Sequence, residues 1–218
     1  IMGGSIDNTK STDPNVFTSG NTLTLWGNPT EPNATPIILS EGFDPSNDKY
    51  AEFNRYRGDY LANELFKYGY QVYILNYNLG NQNLRNNAAV MNSAIQYISS
   101  LHNGAEVAVA GASMGGIIAR YTLAKAEEDG TPLPASLLVT FDSPMQGAVI
   151  DSNLLDWFED KIDDFAQMNN DAAKQMLVYN PYNTSNMHSS FFNELDTIGS
   201  NGFPSGIPTI GIAFSRDI

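Results

Sequence analysis

Short apolar runs alternate along the chain with stretches in which apolar residues recur every three or four positions. Runs rich in β-branched residues are typical of strands buried on both faces, and the second pattern is typical of helices that bury one face. The pattern predicts strands at residues 22–26, 37–40, 70–77, 106–111, 136–141 and 207–214. It predicts helices at residues 54–67, 84–102 and 116–128. This alternation predicts an α/β fold, with a mostly parallel sheet and helices on both faces.

The alternation stops between about residues 149 and 200. A helical period there separates an apolar side from an acidic side. The apolar positions are Leu154, Leu155, Phe158, Ile162, Phe165 and Met168, and the acidic ones are Asp156, Glu159, Asp160, Asp163 and Asp164. The apolar period explains the acidic spacing as a solvated helix face rather than a metal site. We expect residues 149–200 to form a lid or cap inserted into a single domain of residues 1–218, after an irregular start at residues 1–21.

Composition narrows the possible functions. The chain has 218 residues, 42% of them hydrophobic, which suits one well-buried core. A formal net charge of -13 repels phosphate backbones and anionic lipids, so we do not expect nucleic-acid binding. No run approaches the roughly 18 apolar residues of a membrane helix, so we expect no stable membrane insertion. Cysteine is absent, which excludes disulfides and thiolate metal sites. Abundant Asn, Gly, Ser and Tyr with little Lys favour a secreted or periplasmic protein.

One serine stands between two glycines where a predicted strand meets a predicted helix. The motif is Gly111-Ala112-Ser113-Met114-Gly115. A sharp turn at such a place strains the serine backbone and lifts the hydroxyl clear of the sheet. The following helix directs its first amide N–H groups and the positive end of its dipole towards a developing oxyanion. The context therefore predicts that Ser113 is a nucleophile.

Three segments carry a resemblance to a known family. They are "IILSEGFDP" at residues 37–45, "GASMGGIIARY" at 111–121 and "TFDSPMQGA" at 140–148. They resemble the oxyanion loop, the nucleophile elbow and the segment after the next strand in α/β-hydrolases, in the lipase and esterase branch that includes PGAP1-like and bacterial lipase-like proteins. The resemblance covers about residues 35–217. It implies a serine hydrolase that cleaves carboxylic esters of small molecules or lipids, without a cofactor or a metal.

The resemblance also implies roles for particular residues. Ser113 is the nucleophile, and the backbone N–H groups of Met114 and Phe43 form the oxyanion hole. Asp217, after the strand that follows the insertion, is the expected acid. Asp142, after the preceding strand, is the alternative acid, and it could equally cap the turn before Pro144.

The base is the open question, because the chain has only two histidines. Glu41 and Met145 occupy positions where relatives often have histidine, and the fold normally supplies the base after one further strand, which we expect to be lacking here. Either the histidine lies beyond Ile218, or His188 in the lid region is recruited, or the chain does not catalyse.

The other histidine, His102, ends a helix, where a structural role is favoured. Apolar side chains of the lid could bind an acyl chain; they are Trp157, Phe158, Phe165, Met168 and Met176. The alternatives to an esterase or lipase are a non-catalytic binding module on a hydrolase fold, and an amidase or peptidase with the same nucleophile.

Overall fold

The computed structural model describes residues 11–12, 21–26, 33–44, 61–150 and 168–214. These residues form one β-sheet with helices packed against it. Its strands are β1 (Ser11–Thr12), β2 (Thr22–Trp26), β3 (Thr35–Ser40), β4 (Tyr70–Asn76), β5 (Val107–Ala112), β6 (Ala135–Phe141) and β7 (Thr209–Ile212). The helices in these ranges are α1 (Leu61–Lys67), α2 (Leu84–Leu101), α3 (Met114–Glu128), α4 (Asp171–Met176) and α5 (Met187–Thr197). Every strand predicted from the sequence is present, with ends shifted by up to two residues.

The strands lie in the order β1-β2-β4-β3-β5-β6-β7. The five strands from β4 to β7 in this order are parallel, whereas β1 and β2 are antiparallel to their neighbours. Parallel neighbours require crossover connections, and helices supply them here. The carboxyl ends of β3, β5 and β6 therefore meet at one edge of the sheet, and the loops that leave this edge carry the candidate site.

The sheet separates two hydrophobic cores, as the predicted helices on both faces require. Residues of α1 such as Ala62 and Leu65 pack on one face against Ile37 and Ile74. On the other face, α2, α3 and α5 share a larger core. Asn83 caps α2 by accepting a hydrogen bond from the backbone N–H of Arg85, 3.1 Å away, as caps at this position do.

Two elements depart from the sequence prediction. The two-residue strand β1 lies within residues 1–21, which were predicted to be irregular, because it pairs with β2 across the register Ser11 to Leu25. Helix α4 has only six residues and no long apolar period, so the sequence pattern did not predict it. Its Asn170 cap and the bond from the N–H of Ala172 to the carbonyl of Asn81 hold it in place. The predicted amphipathic helix at residues 154–168 falls almost wholly outside the described residues.

Helix α5, within the candidate lid region, packs into the core that α2 and α3 form. Phe191 is fully buried and stacks on Tyr121 of α3 with ring centroids 5.3 Å apart. Glu194 accepts hydrogen bonds from the Tyr121 hydroxyl at 2.6 Å and from Nε of Arg85 at 2.7 Å. Burial alone raises the pKa of Glu194, but the bonds from Tyr121 and Arg85 outweigh it and hold that pKa below its ordinary value.

Arg120 of α3 is a buried cation that connects three parts of the chain. Its guanidinium donates to the carbonyls of Gly202 and Met145, each at 2.7 Å, and to Asp196 at 3.1 Å. It also lies 4.1 Å from the centroid of the Phe203 ring, within cation–π range. A buried charge is tolerated only when it is well hydrogen-bonded, and Arg120 meets this condition. The loop after β6 and the chain after α5 are thus fixed to the helix that follows Ser113.

Candidate active site

Ser113 occupies the turn between β5 and α3, where the sequence predicted a nucleophile elbow. Its backbone has φ 50° and ψ -120°, in the left-handed half of backbone space that non-glycine residues rarely adopt. Its N–H donates to the carbonyl of Phe141 at 2.9 Å, which fixes the turn against the end of β6. The residue is exposed, so the strained turn presents the serine at the carboxyl edge of the sheet.

The two glycines of the motif are required by close approach of backbone to backbone. A Cβ atom on Gly111 would lie 2.3 Å from the carbonyl carbon of Gly115. A Cβ atom on Gly115 would lie 2.3 Å from the carbonyl oxygen of Glu41 and 2.8 Å from that of Ser40. The first contact lets α3 begin directly after the turn, and the second brings the end of β3 against the elbow. The Gly-x-Ser-x-Gly pattern therefore has a steric cause at both glycines.

The segment that follows β3 passes beside Ser113. A Cβ atom on Gly42 would lie 3.5 Å from Cβ of Ser113, and Phe43, the next residue, is half-buried. Met114 is the first residue of α3, so its N–H belongs to the first helical turn, where the helix itself offers no acceptor. The two amides that the resemblance assigned to an oxyanion hole thus lie on the two segments that flank Ser113.

His102 lies away from this edge. It follows α2 and precedes β5, so it is at the amino end of the strand whose carboxyl end carries Ser113. It is buried, and its Nε2 is 2.8 Å from the hydroxyl of Tyr73. Burial, with a smaller contribution from Tyr97, raises the pKa of Tyr73 to about 12. These contacts agree with the structural role expected for His102.

His188 lies in the first turn of α5 and is half-buried. Its Nδ1 is 2.9 Å from the carbonyl oxygen of Gln175, and its ring packs against Phe192 with centroids 4.7 Å apart. A carbonyl can only accept, so in the neutral ring Nδ1 carries the proton and Nε2 is the basic nitrogen. The ring also contacts Gly147, in the loop that leaves β6 at the edge where Ser113 lies. His188 therefore packs against the loop that leaves this edge.

Gly147 offers a test of how tightly His188 is held. Its φ is +96°, and a Cβ atom there would lie 2.3 Å from Cε1 of His188 and 3.0 Å from the carbonyl of Met176. We expect Gly147→Ala to lower the free energy of unfolding by about 2–3 kcal/mol, through backbone strain and collision together. Urea unfolding measures this loss, and the NMR shifts of the His188 imidazole report its displacement.

Gly130→Ala is the matched control for Gly147→Ala. Gly130 also has a positive φ, +70°, but nothing lies within 4 Å of its Cβ position. We expect Gly130→Ala to lower the free energy of unfolding by the backbone-strain contribution alone, about 1 kcal/mol. Equal losses in the two variants, with unchanged His188 shifts, would contradict the packing of His188 on Gly147.

Of the two candidate acids, the structure describes Asp142, whereas Asp217 lies outside the described residues. Asp142 follows β6 with φ 43°, and its N–H donates to the carbonyl of Ile212 at 2.7 Å. Its side chain is exposed, and its backbone joins the ends of β6 and β7. Asp142 thus has a structural role in its backbone, and neither acid has a described contact with His188.

The described residues offer neither a metal-binding cluster nor a membrane-spanning helix. They contain no group of three or more His, Cys, Asp or Glu side chains placed to hold a metal ion. None of the helices described is both long and apolar enough to span a bilayer.

The sheet order, the elbow and the flanking segments define an α/β-hydrolase. Residues 63–207, about two thirds of the chain, match the family model of the PGAP1-like alpha/beta domain, so the chain belongs to that family. No protein of curated function matches the sequence.

Solved structures share the fold at low sequence identity. The mature form of Bacillus licheniformis lipase BlEst2 has a TM-score of 0.57 and 19% identity, and the match covers 83% of this chain and 65% of that one. Its propeptide form has a TM-score of 0.56 and 18% identity, with 83% and 36% covered. A candidate esterase from Staphylococcus aureus has a TM-score of 0.57 and 11% identity, with 95% and 66% covered. The chain thus spans less than two thirds of the length of the lipase structures it matches.

Proposed function

We propose that the protein is a serine hydrolase that cleaves carboxylic esters through an acyl-enzyme on Ser113. The observation that carries this proposal is the backbone of Ser113, with φ 50° and ψ -120°, at a strand-to-helix turn beside Gly42 and Phe43. A strained and exposed serine flanked by amide donors is suited to nucleophilic attack on a carbonyl. The lipase name of the BlEst2 structures supports an ester as the substrate.

The reaction follows the ordinary course of acyl transfer. Oγ of Ser113 attacks the ester carbonyl carbon while its proton passes to a base, and the carbonyl oxygen becomes an oxyanion. The N–H groups of Phe43 and Met114 donate to that oxyanion. The intermediate collapses, the alcohol leaves with the proton, and the acyl group remains on Oγ. Water then attacks the acyl carbon, gives its proton to the same base and releases the carboxylic acid, while Oγ regains a proton.

Exposed apolar side chains in the loop after β6 and in the segment after α4 support a substrate with an apolar acyl part. Val149, Val178 and Tyr179 are exposed, and they lie on two segments joined by the bridge from Ala148 to Leu177. Exposed apolar clusters commonly mark binding surfaces.

Covalent labelling tests the nucleophile directly. A fluorophosphonate probe should bond to Oγ of Ser113 with loss of fluoride, and mass spectrometry should locate the adduct on the peptide that contains residues 111–121. Failure of the wild-type chain to label, with no turnover of p-nitrophenyl esters, would overturn the proposal in favour of a non-catalytic binding module. Labelling together with faster cleavage of p-nitroanilides than of p-nitrophenyl esters would favour an amidase.

We propose His188 as the base; Asp217, or Asp142 as the alternative, serves as its acid by taking the Nδ1–H from the carbonyl of Gln175. In the described structure Nδ1 contacts the carbonyl of Gln175, which leaves Nε2 as the basic nitrogen, and the ring contacts Gly147 in the loop that leaves β6. A positioned general base typically raises the reaction rate by about 10²–10⁴-fold. We therefore expect His188→Gln to lower kcat by about 10²–10⁴-fold.

His102→Gln is the control for His188→Gln. It removes the other histidine, which is bonded to Tyr73 at the far edge, so it should lower the melting temperature and leave kcat within about threefold of wild type. If His188→Gln retains wild-type kcat, another group takes the proton of Ser113.

A further inference from the structure

Glu41 is buried where β3 ends and the segment beside Ser113 begins. Only 1% of its surface is exposed. Its N–H donates to the carbonyl of Leu75 at 3.1 Å, and its Oε1 accepts from the N–H of Tyr77 at 2.5 Å. Burying a carboxyl group costs free energy unless it is hydrogen-bonded, so this bond to the backbone of Tyr77 is what makes the position tolerable.

Tyr77 holds the preceding residue as well. Its hydroxyl lies 2.9 Å from Oγ of Ser40 in a buried hydrogen bond. On the opposite side, the carbonyl oxygens of Ser40 and Glu41 lie against Gly115, so closely that a Cβ atom would collide with both. The end of β3 is therefore held from the β4 side by Tyr77 and from the β5 side by the elbow.

The carboxylate does not face the nucleophile. In the sheet order, β3 lies between β4 and β5. Oε1 of Glu41 reaches the β4 side, where it bonds Tyr77 and would lie 3.4 Å from a Cβ atom on Gly80, whereas Ser113 follows β5. Through this bond, Glu41 acts on the backbone that it fixes, which continues directly into Gly42 and Phe43.

We infer that Glu41 is a positioning residue: its bond to the N–H of Tyr77 holds the Gly42–Phe43 segment, with the amide of Phe43, beside Ser113. This inference rests on the proposed function for its catalytic consequence, although the positioning itself is a property of the fold. A catalytic group must be held within about 0.5 Å of its productive place, and one oxyanion donor is worth about 10²–10³-fold in turnover. Loosening the segment therefore costs a part of that factor.

Kinetics of three variants test the inference. Glu41→Gln keeps an oxygen that accepts from Tyr77, and Glu41→Ala removes it. We expect Glu41→Ala to lower kcat by about 10–100-fold with KM within about threefold, and Glu41→Gln to stay within about threefold of wild type in both. Tyr73→Phe, which removes the hydroxyl partner of His102 at the far edge, should lower the melting temperature without lowering kcat.

Amide hydrogen exchange measures the positioning without turnover. In Glu41→Ala, a peptide that contains residues 41–44 should exchange faster than in wild type, whereas Glu41→Gln and Tyr73→Phe should leave it unchanged. If the wild type neither labels nor turns over esters but this pattern of exchange is found, the positioning holds and the proposed function fails.

Two results would overturn the inference. One is unchanged exchange at residues 41–44 in Glu41→Ala; the other is a loss of kcat in Glu41→Gln as large as in Glu41→Ala, since the acceptor would then not be what matters. If Glu41→Ala does not fold, Glu41→Asp replaces it, because its shorter side chain keeps most of the buried volume but cannot reach Tyr77 unless the segment moves. Faster exchange in Glu41→Asp supports the inference, and unchanged exchange overturns it.

Discussion

Ser113→Ala is expected to lower the turnover of p-nitrophenyl esters by about 10⁴–10⁶-fold, because no other group can take the acyl group at this turn. The variant keeps the backbone that brings Gly42 and Phe43 beside residue 113, so substrate binding should change little. The loss should therefore fall on kcat, with KM nearly constant. Steady-state kinetics at several ester concentrations separates the two constants.

Ser93→Ala is the matched control for this substitution. Ser93 is exposed on α2, and its hydroxyl donates only within its own helix, to the carbonyl of Ala89 at 3.1 Å. It should keep wild-type turnover and labelling. Residual turnover in Ser113→Ala above about 1% of wild type would mean that the ester is cleaved without this serine.

Gly115→Ala is expected to lower kcat by about 10²-fold and the free energy of unfolding by about 1–3 kcal/mol. The added methyl group would lie 2.3 Å from the carbonyl oxygen of Glu41 and 2.8 Å from that of Ser40. Both atoms belong to the backbone and cannot rotate away, so the end of β3 must move. The Phe43 amide moves with it, away from the place where the oxyanion forms. Ester kinetics and urea unfolding measure the two effects.

Gly206→Ala provides the comparison for Gly115→Ala. The Cβ position of Gly206 is open, with nothing within 4 Å, and its φ is outside the left-handed range. Gly206→Ala should change the free energy of unfolding by no more than about 0.5 kcal/mol. It should change kcat by no more than the rate factor that corresponds to this energy. Wild-type kcat in Gly115→Ala would show that the end of β3 does not need its present place for the reaction.

Most of the sheet was predictable because its strands are encoded locally. The run TLTLW marks β2 to the residue, and the β-branched run that ends at Ser40 marks most of β3. Helix α3 begins at Met114, two residues earlier than the pattern indicated, because Gly115 and Gly116 lack the apolar side chains that reveal a helical period. Leu101 fits the apolar period of α2 but is exposed, since it is the last residue of the helix.

The strand-to-helix turn at Ser113 was predictable for the same reason, since Gly111, Ser113 and Gly115 are close in sequence. Glu41 and Arg120 were not given a role, because charged residues are normally solvated and their burial here depends on partners far along the chain. The one local signal for Glu41 is its position between the largely apolar strand β3 and a glycine. Two partners of His188, Gln175 and Gly147, likewise come from α4 and from the loop after β6, which no pattern in its own segment reveals.

The turn at Ser113 has a consequence for evolution under selection for stability. Holding a non-glycine residue at φ 50° and ψ -120° costs on the order of 1–3 kcal/mol in the native state. Ser113→Gly should therefore raise the melting temperature relative to Ser113→Ala, since both lack the hydroxyl and only glycine relaxes the bend. Under the proposed function, a more stable and inactive protein is one substitution away, so the serine marks a trade-off in which stability is given up at a single residue for reactivity.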